Sequence, residues 1–147
     1  MTFAELILLL HVLATLFMLG LIWVVQLVHY PLMRHVDPAG FVDFEKAHQR
    51  RIALLVGPGM GLELATGLLL LIIRPAGVEV WLVWVGLALI IVNWVSTAAV
   101  QMPCHAKLER GFDPAVWRRL VQSNWLRTAA WSLRAVVVLA MISRQNG

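Results

Sequence analysis

The sequence predicts an all-α polytopic membrane protein: one membrane domain, a bundle of four transmembrane helices built from two helical hairpins, about 1–73 and about 78–147. Three observations predict it. The chain is 61% hydrophobic and only 14% charged, with a mean hydropathy of +0.81, whereas soluble domains are less apolar and carry more charge. Its apolar residues fall in four long runs, 3–28, 52–73, 78–100 and 126–142, nearly free of charge. About 20 helical residues cross a ~30 Å hydrocarbon core, so each run is a candidate span. The last is the shortest, and Leu120 to Trp125 extend it. Finally, the chain repeats itself. DPAGFVDFEKAHQRR, residues 37–51, is echoed by DPAVWRRLVQSNWLR, residues 113–127, at an offset of 76. The echo matches Phe41 with Trp117, His48 with Asn124 and Arg51 with Arg127. Upstream, Gln26 matches Gln101 at an offset of 75. Two hairpins running in the same sense imply a duplication about an axis along the membrane normal.

The first span opens with Glu5 as its only early charge and is followed by no small-x-small cleavage site, so it is expected to persist as a helix rather than to be removed as a signal peptide. After it comes a basic segment with Arg34, Lys46, Arg50 and Arg51. After the third span comes another, with Lys107, Arg110, Arg118, Arg119 and Arg127. The opposite side carries only Arg74 and Arg144, and Arg134 lies within the fourth span. Lys and Arg concentrate in cytoplasmic loops. The expected setting is therefore a bacterial inner membrane, with both termini outside and both basic loops inside. The sequence pI near 10.2 then reflects topology and attraction to anionic lipid, not nucleic-acid binding. The single cysteine, Cys104, allows no intrachain disulfide.

Asp37-Pro38 and Asp113-Pro114 suit helix starts, Asp as a cap and Pro in the first turn, and each is expected to open a short interfacial helix leading into the next span. In the second span GPGMG, residues 57–61, is expected to interrupt the helix, because Pro58 lacks a backbone donor and clashes with the preceding turn.

Ionisable groups inside a span are costly and mark function by default. His11 and His29 are 18 residues apart, roughly five helical turns, and so share a face, with Thr15 and Gln26 beside it. Asn93, Thr97, Gln101 and Cys104 form a polar edge on the third span. Asn124, Arg127, Thr128 and Trp131 form one on the fourth. All four edges are expected to turn inward. His29, His48 and His105 lie near the basic boundary and are candidate ligands for copper, iron or zinc, metals that imidazole suits. His11 and Glu63 lie deeper, at similar depths. His11 is a candidate haem ligand or a partner for Glu63. Glu63 is the candidate proton acceptor or donor. Arg51 and Arg127, with Asn124 beside the latter, are candidates to orient an anionic group. Trp94 and Trp131, deeper than the other tryptophans, are candidates to line a pocket.

LHVLATLFMLGLIWVVQLVHYPL, then FEKAHQRRI, GPGMGLELATGLLLL and WLVWVGLAL, resembles the four-span bacterial membrane proteins around the HemJ-type protoporphyrinogen oxidases and the CopD-like domain. The resemblance implies His11 as a ligand to haem b. The lysine those proteins carry near the start of span three has no counterpart here. QMPCHAKLERGFDPAVWRRLVQSNWLRTAAW resembles the anthrone oxygenase-like membrane family, on Pro103, Trp117, Asn124, Arg127 and Thr128, and implies oxidation of an aromatic substrate. The expected function is a membrane-bound oxidoreductase or redox-linked protein. It would hold a metal ion or haem in the bundle and act on a small lipophilic or anionic substrate. The alternatives are a small transporter or channel, which would require a homo-oligomer, and an accessory subunit with no cofactor.

Overall fold

Four helical rods fill the computed structural model, which describes residues 1–145: α1 (Phe3–His35), α2 (Phe41–Ile72), α3 (Val80–Leu108) and α4 (Pro114–Gln145). Each is long and apolar enough to cross a membrane. The protein is an all-α, multi-pass four-helix bundle. Each rod packs on its neighbours in the chain, and α1 also packs on α4, so the rods close into a ring. The up-down-up-down course brings both basic loops to one end. Apolar side chains cover the outside: Leu13, Phe17, Val24, Leu54, Leu69, Trp84, Val95, Leu126, Leu133 and Val136 are all exposed. In water this surface would be a severe liability. In lipid it is the required one.

Local chemistry sets the ends of the rods. Thr2 and Glu5 form a reciprocal cap on α1: Thr2 Oγ1 accepts from the Glu5 N–H at 3.2 Å, and Glu5 carboxylate accepts from the Thr2 N–H at 2.7 Å, satisfying two donors that a helix start leaves free. Asp113 Oδ1 accepts from the N–H groups of Ala115 and Val116 and caps α4. The Asp37 side chain accepts only from the Ala39 N–H and its backbone oxygen from the Gly40 N–H; a turn follows, and α2 begins at Phe41. As expected, the helix that each basic loop starts runs on into the next span, with no break between the two. Each basic loop leads directly into a single rod. The expected interruption at Pro58 is absent, for α2 is continuous from Phe41 to Ile72. Pro58 is exposed on the lipid face, and the helix runs on without its one missing hydrogen bond.

The irregularity lies instead in α1 and α3. Each passes through one π turn, Val25–His29 and Thr97–Gln101. Immediately afterwards the Tyr30 N–H bonds back to Val25 O, and the Met102 N–H to Thr97 O. Pro31 and Pro103 follow. A proline in a regular helix clashes with the carbonyl four residues back, and a wider turn just before it relieves the clash. The two turns are 72 residues apart, against the offset of 75 that pairs Gln26 with Gln101. Gln26 is therefore the second residue of the first turn while Gln101 closes the second. Both side chains are nonetheless buried against α4.

Two apolar clusters fill the interior. One, around Leu8, Leu70, Leu82, Ile90 and Met141, fills the end remote from the basic loops. The other, around Met18, Met33, Phe41, Leu108, Leu120 and Trp131, fills the basic end. Polar side chains from all four rods meet between and beside them.

Candidate functional site

The deeper polar group centres on Arg134, which is fully buried. Its Nε donates to Glu63 Oε1 at 3.0 Å, Nη1 to Gly86 O at 2.7 Å, and Nη2 to Thr15 Oγ1 at 2.8 Å and His11 Nε2 at 3.2 Å. Trp131 Nε1 donates to the second Glu63 oxygen at 2.9 Å. A guanidinium only donates, so His11 Nε2 must accept. The His11 proton is then on Nδ1, which donates to Thr66 Oγ1 at 2.7 Å, and the Thr66 hydroxyl donates in turn to Leu62 O at 2.6 Å. Glu63 and His11 thus meet as expected from their depth, but through an arginine contributed by α4.

This arrangement does not fit haem at His11. Both ring nitrogens are engaged, and the ring packs against Gly67, where an added Cβ would lie 3.2 Å from His11 Cε1 and 3.1 Å from Leu87 Cδ2. A flat macrocycle has no face to occupy there.

The second group lies at the basic end, beside a cavity of about 350 Å³. The cavity wall is mostly apolar, with Met18, Ile22, Ile52, Met60 and Trp94 among its residues, and its polar lining is Tyr30, His48, Gln49, Thr97, Gln101, His105 and Arg127. Ala53 and Gly57 of α2 and Trp94, Ala98 and Met102 of α3 line it and are exposed on the outer surface. The cavity therefore opens sideways, between α2 and α3, towards the hydrocarbon rather than the aqueous face.

Along the wall runs a chain of three buried groups. Glu45 Oε1 lies 2.6 Å from His105 Nδ1, and His105 Nε2 lies 3.0 Å from the Tyr30 phenol oxygen. A carboxylate only accepts, so the Nδ1–H donates to Glu45 and the Tyr30 hydroxyl donates to Nε2. Gln49 Nε2 also donates to Glu45 Oε1, at 3.3 Å. The Trp117 indole donates to Tyr30 O at 2.8 Å and ties α4 to the end of α1. His48 stacks on His29 with ring centres 4.1 Å apart and lies 5.6 Å from His105.

The three histidines expected as metal ligands are therefore neighbours, but their lone pairs do not converge. His29 and His48 are nearly parallel, 25° apart, and the in-plane lone pairs of stacked rings do not meet at one point. His105 has both nitrogens engaged. Among the described residues no group of three His, Cys, Asp or Glu side chains is arranged to hold a metal ion, so the set does not fit one.

Of the other expected residues, Asn124 and Arg127 are buried together. Gln26 Oε1 accepts from Asn124 Nδ2 at 2.9 Å, and Asn124 Oδ1 accepts from Arg127 Nη1 at 3.0 Å. Gln101 is held by Ser96 and Ser123. Arg51 is exposed and does not line the cavity. The repeat makes it the counterpart of Arg127, but the two have different surroundings. Trp94 lines the cavity, while Trp131 is buried beneath Arg127, whose guanidinium lies 5.1 Å from its ring centre.

Three residues that organise these groups, Tyr30, Glu45 and Arg134, were not singled out by the sequence pattern. Glu45 carried a usable signal. It stands on one helical face with Phe41, His48 and Ile52, an apolar stripe unsuited to a solvated acid. Tyr30 is the chain's single tyrosine.

No family model, curated protein or solved structure matches the chain.

Proposed function

We propose that the chain is a membrane-bound acid–base catalyst of the oxidoreductase kind. It admits a small lipophilic molecule from the bilayer and takes a proton from it, or returns one, through Tyr30, His105 and Glu45. One observation carries this: a buried carboxylate–imidazole–phenol chain ends at the wall of an apolar cavity that opens to lipid. When such a substrate is oxidised its electrons pass to a co-substrate of the quinone or dioxygen class and its proton to a base, and this chain's own residues supply the base. The substrate's acidic hydrogen passes to the Tyr30 oxygen while the Tyr30 proton passes to His105 Nε2. The resulting imidazolium is stabilised by Glu45, which also fixes the ring's tautomer. The low dielectric of the cavity strengthens these contacts and excludes competing water. The resemblance of residues 101–131 to the anthrone oxygenase-like family supports the same class of chemistry. A transport path would have to cross the packed layers around Trp131 and Arg134, and no observation favours one.

The test uses the purified protein in nanodiscs and a long-chain 4-nitrophenol, at a pH where the free probe is neutral. Wild type should bind it and display the phenolate band. His105→Gln and Tyr30→Phe should bind it without that band. Ala98→Trp, at the cavity mouth, should not bind. An equal phenolate band in His105→Gln and wild type would refute the proton-transfer role.

A further inference from the structure

Arg127 and Arg134 lie on one face of α4, seven residues apart, and both are buried, Arg127 being 4% exposed. Their surroundings differ in one respect. Arg134 has Glu63 as its counter-ion at 3.0 Å. Arg127 makes no ion pair among the described residues. Glu5 faces the N-terminus, Glu79 faces Arg144, and Glu45 faces His105. Asn124, an uncharged amide, takes one Nη1 hydrogen, Trp131 offers its ring face, and the Arg127 Nε–H is buried with no partner. A buried charge is ordinarily paired, because desolvation of a lone one is so unfavourable. Among the described residues, Arg127 is also the one Lys or Arg lining the lipid-facing cavity.

We infer that Arg127 is the binding site for an oxyanion on the ligand, and that the ligand of this cavity is a lipophilic acid bound as its conjugate base. This rests on the reading that the cavity admits a ligand, and it names that ligand's class. The apolar body fills the space between Met18, Ile52, Met60 and Trp94, and any tail leaves through the gap between α2 and α3. The head lies between Arg127 and Tyr30, which line the same cavity. A neutral acid dissolves in the bilayer and enters uncharged. Its O–H bond breaks and an N–H bond forms on His105 by way of Tyr30, so the oxyanion is generated beside the guanidinium. Charge balances: the new anion faces Arg127, and the new imidazolium faces Glu45. Asn124, held in turn by Gln26, is a positioning residue that keeps one edge of the guanidinium fixed, while the Nε–H is left without a protein partner.

The test compares 2-naphthoate with its neutral isostere 2-naphthamide, by titration calorimetry on the full chain in nanodiscs of zwitterionic lipid. Wild type should bind the carboxylate about tenfold or more tightly than the amide, the range a charge-assisted hydrogen bond supplies. Arg127→Gln should lose that preference while keeping the amide affinity within about twofold, which also shows that the variant is folded. Arg127→Lys should retain part of it. Equal affinities in wild type, or an undiminished preference in Arg127→Gln, would overturn the assignment of the oxyanion site and leave the cavity's ligand-binding role intact. Binding of neither probe, or binding unaffected by Ala98→Trp, would overturn both.

Discussion

Arg134 is the residue whose replacement should harm the fold most. It makes four hydrogen bonds from three nitrogens, to Glu63, Gly86, Thr15 and His11, with the side chain fully buried. Arg134→Met keeps much of the volume but strands the Glu63 carboxylate in an apolar layer with only the Trp131 indole as partner. Removing one member of a buried ion pair costs about 3–5 kcal/mol, because the remaining charge is uncompensated. Replacing both members by apolar groups is often close to neutral. Glu63→Leu combined with Arg134→Met should therefore recover most of the loss, giving a coupling of roughly 2–4 kcal/mol between the sites. The assay is reversible unfolding in mixed micelles titrated with SDS, followed by tryptophan fluorescence and circular dichroism on wild type, both single variants and the double. A loss below about 1 kcal/mol for Arg134→Met, or a double variant as unstable as the sum of the singles, would refute the view that this cluster is a structural ion pair. It would also reopen Glu63 and His11 as reactive groups.

Two further outcomes follow from packing and hydrogen bonding. Gly67→Ala should destabilise by about 1–3 kcal/mol, the range for overpacking, since its Cβ would lie 3.1–3.2 Å from Leu87, His11 and Ile90. Gly61→Ala meets nothing within 4 Å and should be neutral or slightly stabilising through helix propensity. The same unfolding assay distinguishes them. Asn124→Ala removes the partner of both Gln26 and Arg127 and should cost about 1–3 kcal/mol. It should also weaken the carboxylate preference of the cavity, a change calorimetry detects and a purely structural role would not produce.

Much of this fold was legible because membrane helices must be long, apolar and internally hydrogen-bonded. The four runs and their polar edges therefore stand out, and His11, Glu63, Asn93, Asn124 and Thr128 are all buried as their edges predict. The site was less legible, for physical reasons that differ by residue. Arg134 lies 71 residues from Glu63, and nothing local in either segment announces the other. Glu45 sits among Lys46, Arg50 and Arg51, so its apolar face was masked by charged neighbours on the opposite one. Arg51 and Arg127 occupy equivalent places in the repeat, yet a side chain's burial is decided by what packs against it. α4 sets Arg127 against Gln26 of α1 by way of Asn124, whereas Arg51 faces outward. The histidines were correctly grouped by depth, but the angle between ring planes that separates a stack from a ligand set has no signature in spacing.

The two π turns bear on where the site's orientation comes from. Each admits one residue more than a regular helix would, and one residue is worth about 100° of rotation. Tyr30 directly follows the first turn, and His105 follows the second by four residues. Upstream of the turns, Met18 in α1 and Ile90 in α3 lock the rods into the bundle. Downstream, the same rods present a face rotated out of phase with that packing. The aim of the phenol and the imidazole is thus set by chain length, separately from the core that holds the helices together. Shortening either turn by one residue would swing Tyr30 or His105 off the cavity wall while every substitution-sensitive contact above it stayed in register. In this scaffold, sites can be redirected by single-residue insertion and deletion, and the prolines just beyond each turn hold the inserted residue in place.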